Sequence, residues 1–319
     1  MIREGTESGS RGVGRFGSRW SVVAPTERTP YRPTPMLRHC PILGRATETT
    51  PTPFARGAWT LVRCNETGFV FLPDPPTYDA LATEHAWEST FAAERARRKR
   101  EEPVVATVGG WIKRLRRKVL RARNPFAAIV GARLAGGAGG AGAPPFRIVD
   151  VGCAHAAFTR AVAERLSARG LSVTMTGIEV SHALAAAARQ TLSPIGGTVI
   201  EASALEGVRS LPAGSVTAVL MSSFLEHEAQ PLELLREVRR CLRPGGFAVV
   251  KVPNFACWNR LVRGARWCGF RYPDHVNYFT PRTLQALAER ADLCFEQGWL
   301  DRLPLSDNMY AVLSRAPQG

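Results

Sequence analysis

From residue 146 onward, short apolar runs alternate with stretches whose apolar residues recur at helical spacing. FRIVDVG (146–152), SVTMTGIEV (172–180), GTVIEA (197–202), SVTAVLMSS (215–223) and FAVVKVPN (247–254) read as strands. The nearly unbroken apolar ones suit strands covered on both faces. Between them, Phe158, Ala161, Val162 and Leu166 share one helical face, and HALAAAARQTL (182–192) forms a second helix. Leu232, Leu235, Val238 and Leu242 line a third, which opens at Pro231, where a missing N–H costs nothing. Thr280 caps a further helix that begins at Pro281 and carries Leu284, Leu287, Ala288 and Ala291 on one side. CFEQGWL (294–300) and NMYAVLS (308–314) close the chain as two more strands. Alternating strands and helices predict an α/β fold with a mostly parallel sheet covered on both faces.

The first half is patterned differently. Residues 1–35 are rich in Gly, Ser, Arg and Pro without a period and are expected to be disordered. Within 36–75, TLVRC (60–64) and GFVFL (68–72) flank Asn65-Glu66-Thr67-Gly68, a hairpin pattern. Residues 76–135 are read as a helical basic region. It includes WIKRLRRKVLRAR (111–123), whose Trp111, Ile112, Leu115, Val119 and Leu120 form one apolar stripe. GGAGGAGAPP at 136–145 is a flexible linker by composition. The division expected is therefore 1–35, 36–75, 76–135, 136–145 and 146–319.

Charge sharpens that division. The chain of 319 residues carries a formal net charge of +15, and residues 1–147 hold 24 Lys and Arg against 12 Asp and Glu. An anionic partner would meet the first half. The helix at 111–123 has three readings, in order of preference. It docks its stripe on the second half, it lies on an anionic membrane surface, or it binds nucleic-acid phosphates. No stacking platform accompanies the basic residues, so a nucleic-acid partner is not expected. No run of 18 apolar residues and no apolar N-terminal region point to a membrane span or a secretory signal. Seven Cys without framework spacing read as reduced thiols. The expected location is cytoplasmic, with peripheral membrane contact through 111–123 as the second reading.

In such sheets ligands bind beyond the carboxyl ends of the strands. Asp150-Val151-Gly152 ends the first strand, and Gly152 lets backbone approach a ligand closely. Glu179 ends the second strand, 29 residues after Asp150, where a carboxylate can accept hydrogen bonds from a ribose diol. Together these describe a site for an adenosine-type ligand.

Four motifs, DVGC (150–153), GIEVS (177–181), SSFLEHE (222–228) and CLRPGGFAVVKVPN (241–254), resemble those of class I S-adenosylmethionine (SAM)-dependent methyltransferases. The resemblance covers 146–315. It implies a Rossmann-like sheet whose last strand is antiparallel, here joined to a small N-terminal β-hairpin and helical module. It implies SAM as cofactor. Asp150, Gly152 and Ala154 would lie at its methionine part, Glu179 at its ribose, Ser203 and Ala204 at its adenine, and Ser222 at the fourth-strand edge of the site. The family's loop usually has three alternate glycines, whereas this chain has Gly152, Ala154 and Ala156. Ser203 stands where the family usually has an acid, and Thr217 where it often has Asp.

An oxygen acceptor needs a base, and His227, just past the fourth strand, is the first candidate. His275 is the second. It lies in NFACWNRLVRGARWCGFRYPDHVNYF (254–279), where seven of 26 residues are aromatic. Similar methyltransferases build a substrate lid there. Aromatics interleaved with Arg suit a sugar, an aromatic ring or a phosphate, although packing on the sheet accounts for the Trp residues equally well. Glu226 is read as structural. The turns at Cys40–Gly44 and Cys64–Gly68 resemble zinc knuckles in which Leu43 and Thr67 replace the second Cys, so no zinc is expected.

The leading expectation is a SAM-dependent methyltransferase that O-methylates a small-molecule, glycan or lipid-linked substrate. The rivals are a catalytically inactive SAM-fold scaffold, an RNA methyltransferase using the basic half, and a nicotinamide-dependent oxidoreductase, whose Gly-x-Gly-x-x-Gly fingerprint GCAHAA does not fit.

Overall fold

The described residues form a seven-stranded sheet, a four-stranded sheet and a two-stranded hairpin. In a computed structural model, residues 38–74, 125–136 and 145–316 are described. The expected disordered segment, the basic helix at 111–123 and most of the linker lie outside them.

The larger sheet has seven strands. In chain order they are β6 (Phe146–Val151), β7 (Val173–Glu179), β8 (Thr198–Glu201), β9 (Val216–Ser222), β10 (Leu242–Pro253), β12 (Cys294–Glu296) and β13 (Asn308–Ser314). Across the sheet the order is β12-β13-β10-β9-β6-β7-β8. β8, β7, β6, β9 and β10 run parallel, and β13 is antiparallel to both neighbours. The chain passes from β8 at one edge back to β9 beside β6, so a topological switch point lies between β6 and β9. Six of the seven β9 residues are buried, as its unbroken apolar run requires.

Helices α2 (Ala157–Ser167), α3 (His182–Leu192), α4 (Ala204–Arg209), α5 (Pro231–Cys241) and α7 (Pro281–Arg290) connect the strands. Helix α1 (Pro125–Ala135) puts Phe126, Val130 and Leu134 into the core beside Ile148 and Leu166. Thr280 caps α7 with a reciprocal bond to Thr283. Of the expected helical face Leu232, Leu235, Val238 and Leu242, the first three are buried on α5, whereas Leu242, also buried, lies past the helix end at the start of β10. The strand expected over 294–300 stops at Glu296, and α8 (Trp299–Arg302) follows. Among the described residues no helix is long and apolar enough to cross a membrane.

The smaller, four-stranded sheet joins residues 49–71 to residues 277–278. β3 (Thr49–Arg56), β4 (Trp59–Cys64) and β5 (Val70–Phe71) form an antiparallel meander, and β5 pairs with β11 (Asn277–Tyr278). Leu61, Val70 and Leu72 pack against Phe255, Trp267, Phe270 and Tyr278. Most aromatics of 254–279 are thus core to this sheet. A two-stranded hairpin, β1 (Arg38–Cys40) with β2 (Arg45–Thr47), precedes it. Cys40 and Cys64 come together around Thr67: Cys40 Sγ lies 3.6 Å from Thr67 Oγ1, and the Thr67 N–H donates to Cys64 Sγ at 3.4 Å.

Candidate active site

The register of β6, β7 and β9 brings the expected residues to one end of the sheet. Asp150 pairs with Gly177 on one side and Leu220 on the other, so Asp150, Glu179 and Ser222 finish neighbouring strands.

The loop after β6 is held by backbone. The Gly152 and Cys153 N–H groups both donate to the Ile178 carbonyl, at 2.9 and 3.1 Å. Gly152, Ala154 and Ala156 have φ of +70, +49 and +59°. The two alanines therefore adopt the left-handed conformation that glycine takes freely, at a cost of roughly 1–2 kcal/mol each. A methyl group on residue 152 would lie 2.3 Å from the Phe224 ring, so only glycine fits there. Gly177 is equally constrained, because a Cβ would meet Cys153 Sγ at 2.5 Å.

Glu179 braces the same loop. Its Oε2 accepts from the Ala154 N–H and its Oε1 from the Ser181 N–H, both at 2.9 Å. Asp150 is buried and accepts from Thr159 Oγ1 at 2.5 Å. Burial pushes its carboxyl up to about 7, against the Thr159 bond, and the Glu179 charge adds to the rise. Ser203 caps α4: its Oγ accepts from the Glu206 N–H and donates to the Glu206 carboxylate. Ala204 is buried at the start of that helix. Glu201 is turned to His182 and Arg189.

The second cluster comes from two segments far apart in sequence. The turn after β9 and the end of the 254–279 stretch are laced together. The Glu226 carbonyl accepts from the Val276 and Asn277 N–H groups, and Asn277 Nδ2 donates to the Leu225 and Glu228 carbonyls. An Arg271–Asp274 ion pair at 3.1 Å, largely shielded from water, stiffens the second segment. His227 and His275 meet edge to face, with ring centroids 4.8 Å apart. His227 Nδ1 donates to the Asp274 carbonyl and His275 Nδ1 to the Gly269 carbonyl, both at 2.8 Å. A carbonyl only accepts, so each neutral ring carries its proton on Nδ1 and its lone pair on Nε2. Burial, reinforced by the Arg271 charge, lowers the His227 imidazolium to about 4.

The carboxylate of Glu226 differs from its expected structural role. Its backbone carbonyl staples the turn, but Oε2 is buried without a hydrogen-bond partner, and burial pushes the carboxyl up to about 7. Glu226, His227 and His275 each offer one ligand atom, all within 4.8 Å of one another, so among the described residues this group could hold a metal ion. The two clusters adjoin through Phe224, whose ring covers Gly152 and whose carbonyl accepts from the His227 N–H at 2.8 Å. Sequence reasoning missed Phe224, Asn277, Asp274 and the Glu226 carboxylate. The SSFLEHE and PDHVNY strings are the only signal for them.

The family model described as "Methyltransferase domain" matches residues 111–297, more than half of the chain. The chain belongs to this family. Class I SAM-dependent methyltransferases are enzymes, and SAM is their cofactor. The residues of this methyltransferase fit that group. Two buried carboxylates at adjoining strand ends suit a cationic cofactor, and each Glu179 oxygen accepts only one backbone N–H, which leaves capacity for hydroxyl donors.

Among solved structures, the [4+2]-cyclase SpnF is 21% identical over 61% of this chain and 82% of its own, with a TM-score of 0.42. A SAM-dependent methyltransferase from Archaeoglobus fulgidus is 17% identical over 64% of this chain and 99% of its own, with a TM-score of 0.41. One from Mesorhizobium loti is 21% identical over 53% and 90%, with a TM-score of 0.41. No curated protein matches the chain.

Proposed function

We propose that this methyltransferase O-methylates a hydroxyl of a small-molecule, glycan or lipid-linked acceptor, with His227 as general base and His275 beside it. The observation that carries the reading is the pair of imidazoles, each donating Nδ1–H to a carbonyl and joined through Phe224 to the loop after β6, with His227 presenting its Nε2 lone pair as the base.

Bound SAM supplies a methyl group already activated by its sulfonium. The protein's work is then to hold, align and deprotonate. Glu179 would hold the ribose hydroxyls, and Gly152 and Ala154 would let backbone approach the methionine part. Asp150 would face its positive charge. Ser203, Ala204 and Ser222 would border the site, with the α4 start at the adenine. His227, half-buried and neutral above about pH 4, would accept the acceptor's hydroxyl proton on Nε2. Glu226, whose carboxyl is pushed up to about 7, lies within 4.8 Å of the two rings, a separation that one water could bridge to take the proton onward.

The two alanines, which favour the inactive-scaffold reading by residue type, hold the left-handed backbone the loop requires. The basic segment that an RNA substrate would need lies outside the described residues. The reading is tested by a screen of hydroxyl acceptors with radiolabelled SAM, using His227→Ala as the control. Methyl transfer to oxygen that collapses in the variant supports it. Transfer to nitrogen or carbon, or undiminished transfer in the variant, overturns it.

A further inference from the structure

Six of the seven large apolar side chains exposed among the described residues belong to two short segments. Trp258, Leu261 and Val262 lie on α6 (Trp258–Arg263), and Trp299, Leu303 and Leu305 lie on α8 and the turn after it. Val262 is 85% exposed and Trp299 72%. The segments are bound to each other. The Trp258 N–H donates to the Pro304 carbonyl at 2.8 Å, and Asp307 accepts from Asn259 Nδ2 at 2.8 Å and from Trp267 Nε1 at 2.9 Å. The apolar side chains therefore share a fixed platform.

The exposed charge beside that platform is basic, while its acids Asp301 and Asp307 are only partly exposed and accept hydrogen bonds from within the fold. Residues 254–273 contain no Asp or Glu, and Arg266 and Arg302 are exposed beside the apolar residues. The acid within 297–306, Asp301, accepts from the Tyr310 N–H. Exposed indoles suit the boundary between headgroups and acyl chains, where the ring is buried and the N–H stays wet. Arginines at the rim suit anionic headgroups.

We propose that α6 and the 299–305 segment form a docking face for an anionic phospholipid bilayer. No residue of this face belongs to the basic stretch at 111–123. The same stretch, 254–279, also carries His275. The proposal does not depend on which hydroxyl is methylated.

The test is co-sedimentation of the full chain with phosphatidylcholine vesicles, with and without phosphatidylglycerol, comparing wild type with a Val262→Ser/Trp299→Ser variant. Both proteins keep the same basic first half, so a difference reports on this face alone. Both substitutions are at exposed positions, and retained SAM binding checks the variant's fold. The proposal predicts association with the anionic vesicles, a blue shift in tryptophan emission, and at least tenfold weaker partitioning of the variant. Equal partitioning of the two proteins, or equal binding to neutral vesicles, overturns it. So does a wild type that ignores both vesicles but self-associates through this face, as shown by a dimer the variant loses.

Discussion

The proposed cofactor side and the proposed acceptor side of this site are built in different ways. The proposed cofactor side is gathered from successive strand ends, at 150–156, 179–181, 203–204 and 222, which the sheet register sets side by side, and its loop is held by backbone bonds and by one carboxylate, Glu179. The acceptor side is assembled from residues about fifty positions apart, and it exists only because Asn277 and Glu226 staple two segments together. The first tolerates local strain, with two alanines in left-handed backbone. The second depends on hydrogen bonds between two segments remote in sequence. Substitutions should therefore separate binding from turnover cleanly.

The largest separation is expected from His227→Ala. Turnover should fall by about 10²–10⁴ while SAM affinity stays unchanged, as measured by initial rates and calorimetry. Equal losses in both would merge the two sides. Next is Asn277→Ala, which leaves the Leu225 and Glu228 carbonyls buried without their donor. A loss of roughly 1–3 kcal/mol in denaturant unfolding is expected, with SAM binding largely retained.

A smaller effect follows from Asp150. In the free protein its carboxyl titrates near 7, above its ordinary value. The folded state thus holds a proton that the unfolded chain releases, and this contribution to stability is lost as pH rises from about 4 to about 7. A cationic cofactor favours the ionised form, so SAM affinity should rise about tenfold between pH 6 and pH 8 and then flatten. Asp150→Asn should abolish that slope in titrations across the range. The smallest effect is at Ala154. Ala154→Gly relieves left-handed strain but frees the unfolded chain, so thermal melting should show a change of only about 0.5–1 kcal/mol towards greater stability. Ala156→Gly should gain less, because the buried Ala156 methyl packs beside Cys153 and Leu192.

The same contrast explains what was readable in the sequence. Strands β6, β7 and β9, helices α3 and α5 and the Thr280 cap follow from period and capping residues within a few positions of each other. Strand β3 was missed because Pro51 and Pro53 argue against a strand. They are tolerated because β3 is an edge. Helix α4 is too short to show a period. The types at 152, 154 and 156 were legible, but not that alanine would hold glycine's backbone. The meeting of His227 with His275 was not legible either, since it rests on Asn277 reaching the carbonyls of Leu225 and Glu228. The exposure of Trp258 against the burial of Trp267 has the same cause, because both are Trp in one aromatic stretch and only packing on β4 and β5 distinguishes them.

Isothermal titration of the full chain with SAM, beside Glu179→Ala, tests the central claim most directly. Micromolar binding that weakens at least tenfold in a variant that remains folded is the predicted result. No binding by the folded wild type, or equal affinity in the two proteins, would contradict a cofactor site formed by the loop after β6 and the end of β7.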